Sequence, residues 1–301
     1  MKSLVRLSRE VEAALRHRQP VVALETTLVA HGFPPGEGAE VGRESERRVR
    51  EAGALPATVG VLDGAVRVGL SGDELERFSA AGEEARKVGP RDLAACAVQG
   101  ALGATTVGGT LAACRVAGIG FMGTGGLGGV HRGFASLPDV SADLAELGRV
   151  EALVVSSGVK SLLDVPATAE VLESIGIPVL GWRTDELPLF YSAGGGPPVS
   201  GRVESAAEAA EIAQAHWTLG RHSALVLARP PDESLDDVEP LIERALAEAR
   251  EQGVSGQALT PFVLAYLHEA SGGRTLAANR ELVAANAGLA AEVAVAYAQL
   301  A

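Results

Sequence analysis

The stretch GIGFMGTGGLGGVHRGFASLPDVSADL, Gly118 to Leu144, decides how the rest of the chain is read. A short apolar run, Ile119 to Met122, stops in six glycines between Gly123 and Gly133, and a histidine, an arginine and two aspartates follow. Glycines this dense let a backbone turn sharply and bring its N–H groups close to a ligand. The pattern is that of a buried strand running into an anion-binding turn, at the strand end where open α/β sheets place their sites. Asp139 and Asp143 then open a helical pattern, and four-residue spacing puts both carboxylates on one face. Such a pair can hold a hard divalent cation through oxygen, or else Asp139 or Ser141 simply caps the helix.

Working outward, apolar runs of strand length alternate with alanine-rich helical patterns. Upstream, Val21 to Leu24 is a strand that runs into Glu25, Thr26 and Thr27, and Gly36 to Gly53 is helical with Glu and Arg at i, i+4 spacing. Val59 to Leu62 and Ala65 to Val68 flank Asp63-Gly64, a two-residue hairpin turn, so the sheet is mixed. Ser71 with Glu74, and Ser205 with Glu208, are capping boxes. Downstream, Ala152 to Ser156, Ile177 to Gly181 and Ala224 to Ala228 read as strands, and Val165 to Ser174, Ser205 to Leu219 and Leu235 to Glu251 as helices. Two more helices begin near Pro261 and Leu276. The alternation predicts an α/β fold: three layers, α/β/α, around a mixed, largely parallel central sheet. SAGGGPPVSG, 192 to 201, is a mobile loop rather than a linker because the alternation resumes unchanged beyond it, which leaves one domain over residues 1–301.

Composition removes several function classes. The net charge is −12 and no basic block is long enough to track a phosphate backbone, so nucleic acid is not an expected partner. No apolar run reaches the length of a bilayer span and the first twenty residues lack a signal-peptide core, so no membrane is expected. Cys96 and Cys114 sit in apolar segments, as buried thiols in a reducing, cytoplasmic compartment would, and their isolation argues against zinc. Gly123, Gly125 and Gly128 match the G-x-G-x-x-G dinucleotide pattern, but Gly133 and Pro138 stand where that turn should enter a long helix.

Two scarcities point inward. Lysine occurs only at Lys2, Lys87 and Lys160 against 23 arginines, so an internal lysine is a candidate for what arginine cannot do, which is to lose its proton and attack a carbonyl. Lys160, just beyond a strand and among Val159, Leu162 and Leu163, has the apolar setting that disfavours an ammonium; the alternative is a loop lysine paired with Asp164. Lys87 and Arg91, in what reads as a Gly-Pro turn, can clamp a phosphate or remain solvated. Asparagine occurs only at Asn279 and Asn286, seven apart and on one helical face.

The ordered segments ETTLVAHG (25–32), KVGPRDL (87–93), GATTVGGT, TGGLGGVHRG, DVSADL, SGVKSLLD, TPFVLAYL and LAANRELVAANA resemble the motifs of the pseudouridine-5′-phosphate glycosidase family, also called indigoidine synthase A-like. The resemblance runs from about residue 18 to the C-terminus; Thr26 replaces a usual Ser, and Gly89-Pro90 a common Ser-Arg. It implies reversible cleavage of pseudouridine 5′-phosphate to uracil and ribose 5-phosphate with a divalent metal, usually Mn2+. By motif match Lys160 is the nucleophile, Glu25 the proton donor and Asp139 the metal ligand. Lys87, Val107 and Ser141-Ala142-Asp143 bind substrate, with His131 and Asn279 beside them. A homotrimer and a pseudouridine kinase as functional partner are further implications. Two competing readings are a nicotinamide-dependent oxidoreductase using the glycine turn and a non-catalytic sugar-phosphate sensor.

Overall fold

The computed structural model describes residues 4–34, 36–135, 138–235, 237–254 and 259–300. Its strands, in chain order, are β1 Val5–Leu7, β2 Val21–Glu25, β3 Leu55–Leu62, β4 Ala65–Val68, β5 Arg86–Val88, β6 Gly103–Thr105 and β7 Phe121–Gly123. Then follow β8 Val130–His131, β9 Leu153–Ser156, β10 Leu163–Asp164, β11 Val179–Trp182, β12 Gly201–Val203 and β13 Leu225–Ala228. Eleven of them form one sheet in the order β1-β4-β3-β2-β7-β9-β13-β11-β12, with β6 pairing to β3 and β5 to β6. Pairing is parallel except for β3 with β4 and β3 with β6, so the sheet is mixed and mostly parallel, as expected. β8 and β10 form a separate two-stranded antiparallel ribbon.

Strands in the middle of this sheet are buried on both faces, and for that reason read as unbroken apolar runs. In β2, Val21 and Ala23 point into one core while Val22 and Leu24 point into the other. In β9 and β13 the same alternation sends Val154 and Val226 to the first core and Leu153, Val155, Leu225 and Leu227 to the second. The first core is closed by helix Val107–Ala117 through Val107, Leu111 and Cys114, and the second by helices Ala206–Thr218 and Arg274–Ala298. Three layers result. The β3–β4 turn places Asp63 at φ 51° and Gly64 at φ 74°, the pair of left-handed residues that a two-residue hairpin of this twist requires. Helix Val165–Ser174 has the expected bounds, with Asp164 accepting the Ala167 N–H as its cap.

Several local expectations change. Ahead of β2, the short strand β1 pairs with β4, and Ser8 caps helix Arg9–Arg16. Lys87 stands in β5 rather than in a turn, since β5 is drawn into the sheet by β6. Asp139 and Asp143 do not share a helix face. The helix is Ala142–Leu147 with Ser141 as its cap, while Asp139 precedes it in extended chain, its carbonyl accepting the His131 N–H at 3.0 Å. Helix Arg274–Ala298 is long and apolar enough to cross a bilayer, but it lies against β2, β7 and β9 as the central helix of the second core. Both cysteines are buried and free.

Candidate active site

Parallel strands converge at their carboxyl ends on one place. β2 ends in Glu25, β7 in Gly123 before the Thr124 turn, β9 in Ser156 before Lys160, and β6 feeds Thr106 and the helix that begins at Val107. A cavity of about 320 Å³ there is lined by Glu25, Lys87, His131, Asp139, Ser141, Ala142, Asp143 and Lys160. It continues into a wider, more apolar space of about 830 Å³ that shares Glu25, Lys87 and Lys160 and adds Leu28, His31 and Phe262.

Glu25 is 4% exposed and accepts a hydrogen bond from the Thr124 hydroxyl. Burial pushes its carboxyl above the ordinary range; the positive charges of Lys160 and Lys87 and the Thr124 bond oppose the rise, and Asp143 adds to it. Lys87 is held below the usual lysine range by burial and by the charge of Lys160, against Asp143 and Glu25. A carboxyl raised by burial beside a lysine lowered by burial is the kind of pairing that suits proton transfer in one pocket.

Lys160 is placed by its backbone. Its N–H donates to the Leu127 carbonyl at 3.1 Å, and Leu127 N–H donates to Gly158 at 3.0 Å, so the lysine loop and the glycine turn are stitched edge to edge. Gly158 has φ 79°, and a Cβ there would lie 2.1 Å from the Pro188 carbonyl oxygen, so only glycine makes this bend. The glycine turn is close-packed against protein. A Cβ on Gly123 would meet the Ala287 backbone at 2.7 Å, one on Gly126 the Phe190 ring at 2.6 Å, and one on Gly128 the Ser141 hydroxyl at 2.2 Å. The turn enters β8 and not a long helix, so the dinucleotide reading is not supported.

Asp143 joins two elements of the site. Its Oδ1 accepts the Gly108 N–H at 2.8 Å and its Oδ2 the Gly128 N–H at 3.0 Å, which ties the start of helix Val107–Ala117 to the glycine turn. Gly109 N–H goes to the Thr106 cap and Thr110 N–H to the Thr106 carbonyl. Among the described residues the Val107 N–H is left without a partner, at the positive end of a three-turn helix. Lys87, one strand away in β5, supplies a cation to the same cavity. Arg91 also borders this cavity, with its side chain 81% exposed and paired with Asp92.

Asn279 lies behind the turn, 2% exposed, its Oδ1 without a partner among the described residues and 3.6 Å from where a Gly125 Cβ would be. Sequence reasoning singled out Asn286 without giving it a task. Its Nδ2 donates to the Thr124 carbonyl at 2.8 Å and the Ser157 hydroxyl at 3.1 Å, so it braces the residue that bonds Glu25. Thr124 itself was missed; nothing sets it apart within the glycine run.

The donor set for a metal is thin. Asp139 faces the cavity with a 40% exposed side chain, 3.9 Å from His131 Nδ1, and Asp143 is already committed to two N–H groups. Among the described residues no three ligand side chains come together. One carboxylate fits a hard cation that keeps most of its water, as magnesium and manganese do when a phosphate substrate completes the shell.

A three-layer α/β/α fold that gathers a buried acid, two lysines and the N-terminus of helix Val107–Ala117 at its strand ends defines an enzyme. A profile of the family described as "Indigoidine synthase A like protein" matches residues 10–296. A pseudouridine-5′-phosphate glycosidase of Streptomyces griseus is 50% identical over 97% of this chain and 92% of its own length. One of Herpetosiphon aurantiacus is 46% identical over 97% and 98%. The crystal structure of the prealnumycin C-glycosynthase AlnA in complex with ribulose 5-phosphate superposes with a TM-score of 0.90 at 38% identity, covering 100% of this chain and 99% of that one. An indigoidine synthase A-like protein of Thermotoga maritima gives a TM-score of 0.87 at 38% identity, covering 97% and 96%. The chain belongs to the indigoidine synthase A-like family.

Proposed function

We propose that this enzyme cleaves the carbon–carbon glycosidic bond of pseudouridine 5′-phosphate, reversibly, to uracil and ribose 5-phosphate. The observation that carries the reading is the pairing of acid with amine. A glycosidase of the usual kind needs two free carboxylates flanking the bond. Here Glu25 is the buried one, Asp143 has both oxygens occupied by backbone N–H groups, Asp139 is 40% exposed beside His131, and two lysines, Lys87 and Lys160, share the cavity with Glu25. A carbon leaving group needs an electron sink, and an amine supplies one.

In this mechanism the Lys160 amine bonds to C1′ as the C1′–O4′ bond breaks and opens the ribose ring; O4′ keeps the electron pair and takes up the proton that the amine gives up. The amine lone pair then forms C1′=N as the C1′–C5 bond breaks; its electron pair stays with uracil, whose carbon takes the Glu25 proton. Water releases ribose 5-phosphate and the free lysine. Lys87 and the Val107 N–H hold the phosphate, with Ser141, Ala142 and His131 along the same wall, and Asn279 Oδ1 accepts from a uracil N–H. Asp139 would hold Mn2+, which when bound supplies positive charge and ordered water to the phosphate and sugar oxygens. A homotrimer, a cytoplasmic location and supply of substrate by a pseudouridine kinase complete the proposal.

The test is to incubate the protein with pseudouridine 5′-phosphate and borohydride and to weigh the product. A pentose phosphate fixed to Lys160 is expected, and Lys160→Arg should give neither adduct nor turnover. Near-normal turnover by Lys160→Arg would refute the amine's role. Ribulose 5-phosphate in the related C-glycosynthase favours a second use of such a cavity, bond formation, which the same assay run from uracil and ribose 5-phosphate reads directly.

A further inference from the structure

The turn that carries Lys160 is gripped from behind by a side chain outside the site cavity. Arg132 follows β8, and its guanidinium donates to the Ser161 carbonyl at 2.8 Å and to the Leu163 carbonyl at 3.3 Å, the main chain directly after the lysine. Its terminal nitrogens also pair with Glu239 at 2.8 Å and Glu243 at 3.2 Å, on helix Glu239–Glu251. One cation thus joins the glycine segment, the lysine turn and an outer helix. A lysine could not reproduce this, since the planar fork is what reaches two carbonyls and two carboxylates at once.

The turn needs such a grip. Behind it opens a cavity of about 560 Å³, walled by Ser161, Leu163, Leu189, Leu235 and Ile242. Leu163 lines this space and the site cavity alike, so the turn is a thin partition with room to move backward. On the site side it is held by the Lys160–Leu127 bond and the two-residue β8–β10 pairing. Leu162 and Leu163 pack into the first core, and Arg132 adds the hydrogen bonds that fix the turn's main chain at the cavity side.

We infer that Arg132 is a positioning residue for the nucleophilic amine. Its fork fixes the main chain after Lys160 so that the amine meets the sugar carbon. The inference rests on Lys160 being the nucleophile. Displacing a reacting group by about 1 Å costs on the order of 10²-fold in rate.

The experiment compares wild type, Arg132→Ala and Arg132→Lys with ribose 5-phosphate and borohydride, following adduct formation at Lys160 by mass, together with kcat and KM. In Arg132→Ala, labelling and kcat should fall together by on the order of 10²-fold with KM unchanged, and added guanidinium should restore part of both. Arg132→Lys keeps a cation for Glu239 and Glu243 but lacks the fork, so it too should label slowly; it carries the comparison if Arg132→Ala does not fold. Labelling at the wild-type rate in the folded variants overturns the inference alone. A wild type that forms no adduct overturns the lysine assignment, and the inference with it.

Discussion

Replacing Asp143 by Asn removes one charge and one acceptor from a site where both oxygens face N–H groups. The carboxylate is 4% exposed and its bonds to Gly108 and Gly128 are 2.8 and 3.0 Å long. A hydrogen bond to a charged group contributes about 1.5–3 kcal/mol, and a buried donor left unpaired costs about 1–3 kcal/mol. The amide can accept from one N–H but turns its own NH2 toward the other, so one bond is lost and a backbone donor is stranded. The expected destabilisation is about 2–4 kcal/mol, a sizeable part of a typical stability of about 5–15 kcal/mol but not enough to unfold the chain. Asp143 also raises the pKa of both Glu25 and Lys87, so its neutral replacement lowers both. A rate that requires protonated Glu25 should then decline at lower pH than in wild type. Urea unfolding, read as a midpoint shift at constant m-value, measures the first effect, and the pH–rate profile the second. The reasoning is refuted if Asp143→Asn stays within about 0.5 kcal/mol of wild type while KM alone rises, the signature of a carboxylate that binds substrate directly.

Glu25→Gln should be inactive yet more stable than wild type at neutral pH. The folded state holds the Glu25 proton more tightly than the unfolded chain does; the stability this confers is complete below the unfolded carboxyl range and is lost as pH rises through the raised folded value. The advantage of the glutamine variant should therefore grow with pH and vanish in acid, and a gap independent of pH argues against a buried carboxyl. Gly128→Ala would set a Cβ 2.2 Å from the Ser141 hydroxyl and 2.6 Å from Asp143 Oδ2, so a loss of about 1–3 kcal/mol and most activity is expected by thermal melt and assay. Gly72→Ala, with nothing within 4 Å, should leave both intact. Chelation should suppress turnover and Mn2+ should restore it; a rate untouched by chelator removes Asp139 from any metal site.

The architecture was legible where burial leaves a pattern. β2, β9 and β13 are covered on both faces, so their sequences are unbroken apolar runs, and the Asp63-Gly64 turn announces its backbone by residue type. β5 and β6 were not legible, because three residues are too few to show a period and their pairing comes from β3. In the site, Glu25 at a strand end and a rare lysine in an apolar setting could be read from type and place. Asp143 could not. Spacing tied it to Asp139 on a supposed helix face, whereas its partners are backbone groups 35 and 15 residues away, a choice fixed only by packing. The scarcity of asparagine pointed to Asn286, but its carbonyl partners come from a turn 162 and 161 residues earlier.

The helix Arg274–Ala298 closes the second core and braces the turn beside Glu25. During synthesis the acid, both cavity lysines and the glycine segment leave the ribosome well before the element that supports them. A nascent chain therefore owns all its reactive groups while its workshop still lacks a rear wall, and activity should switch on late, when that apolar rod seats itself on the sheet.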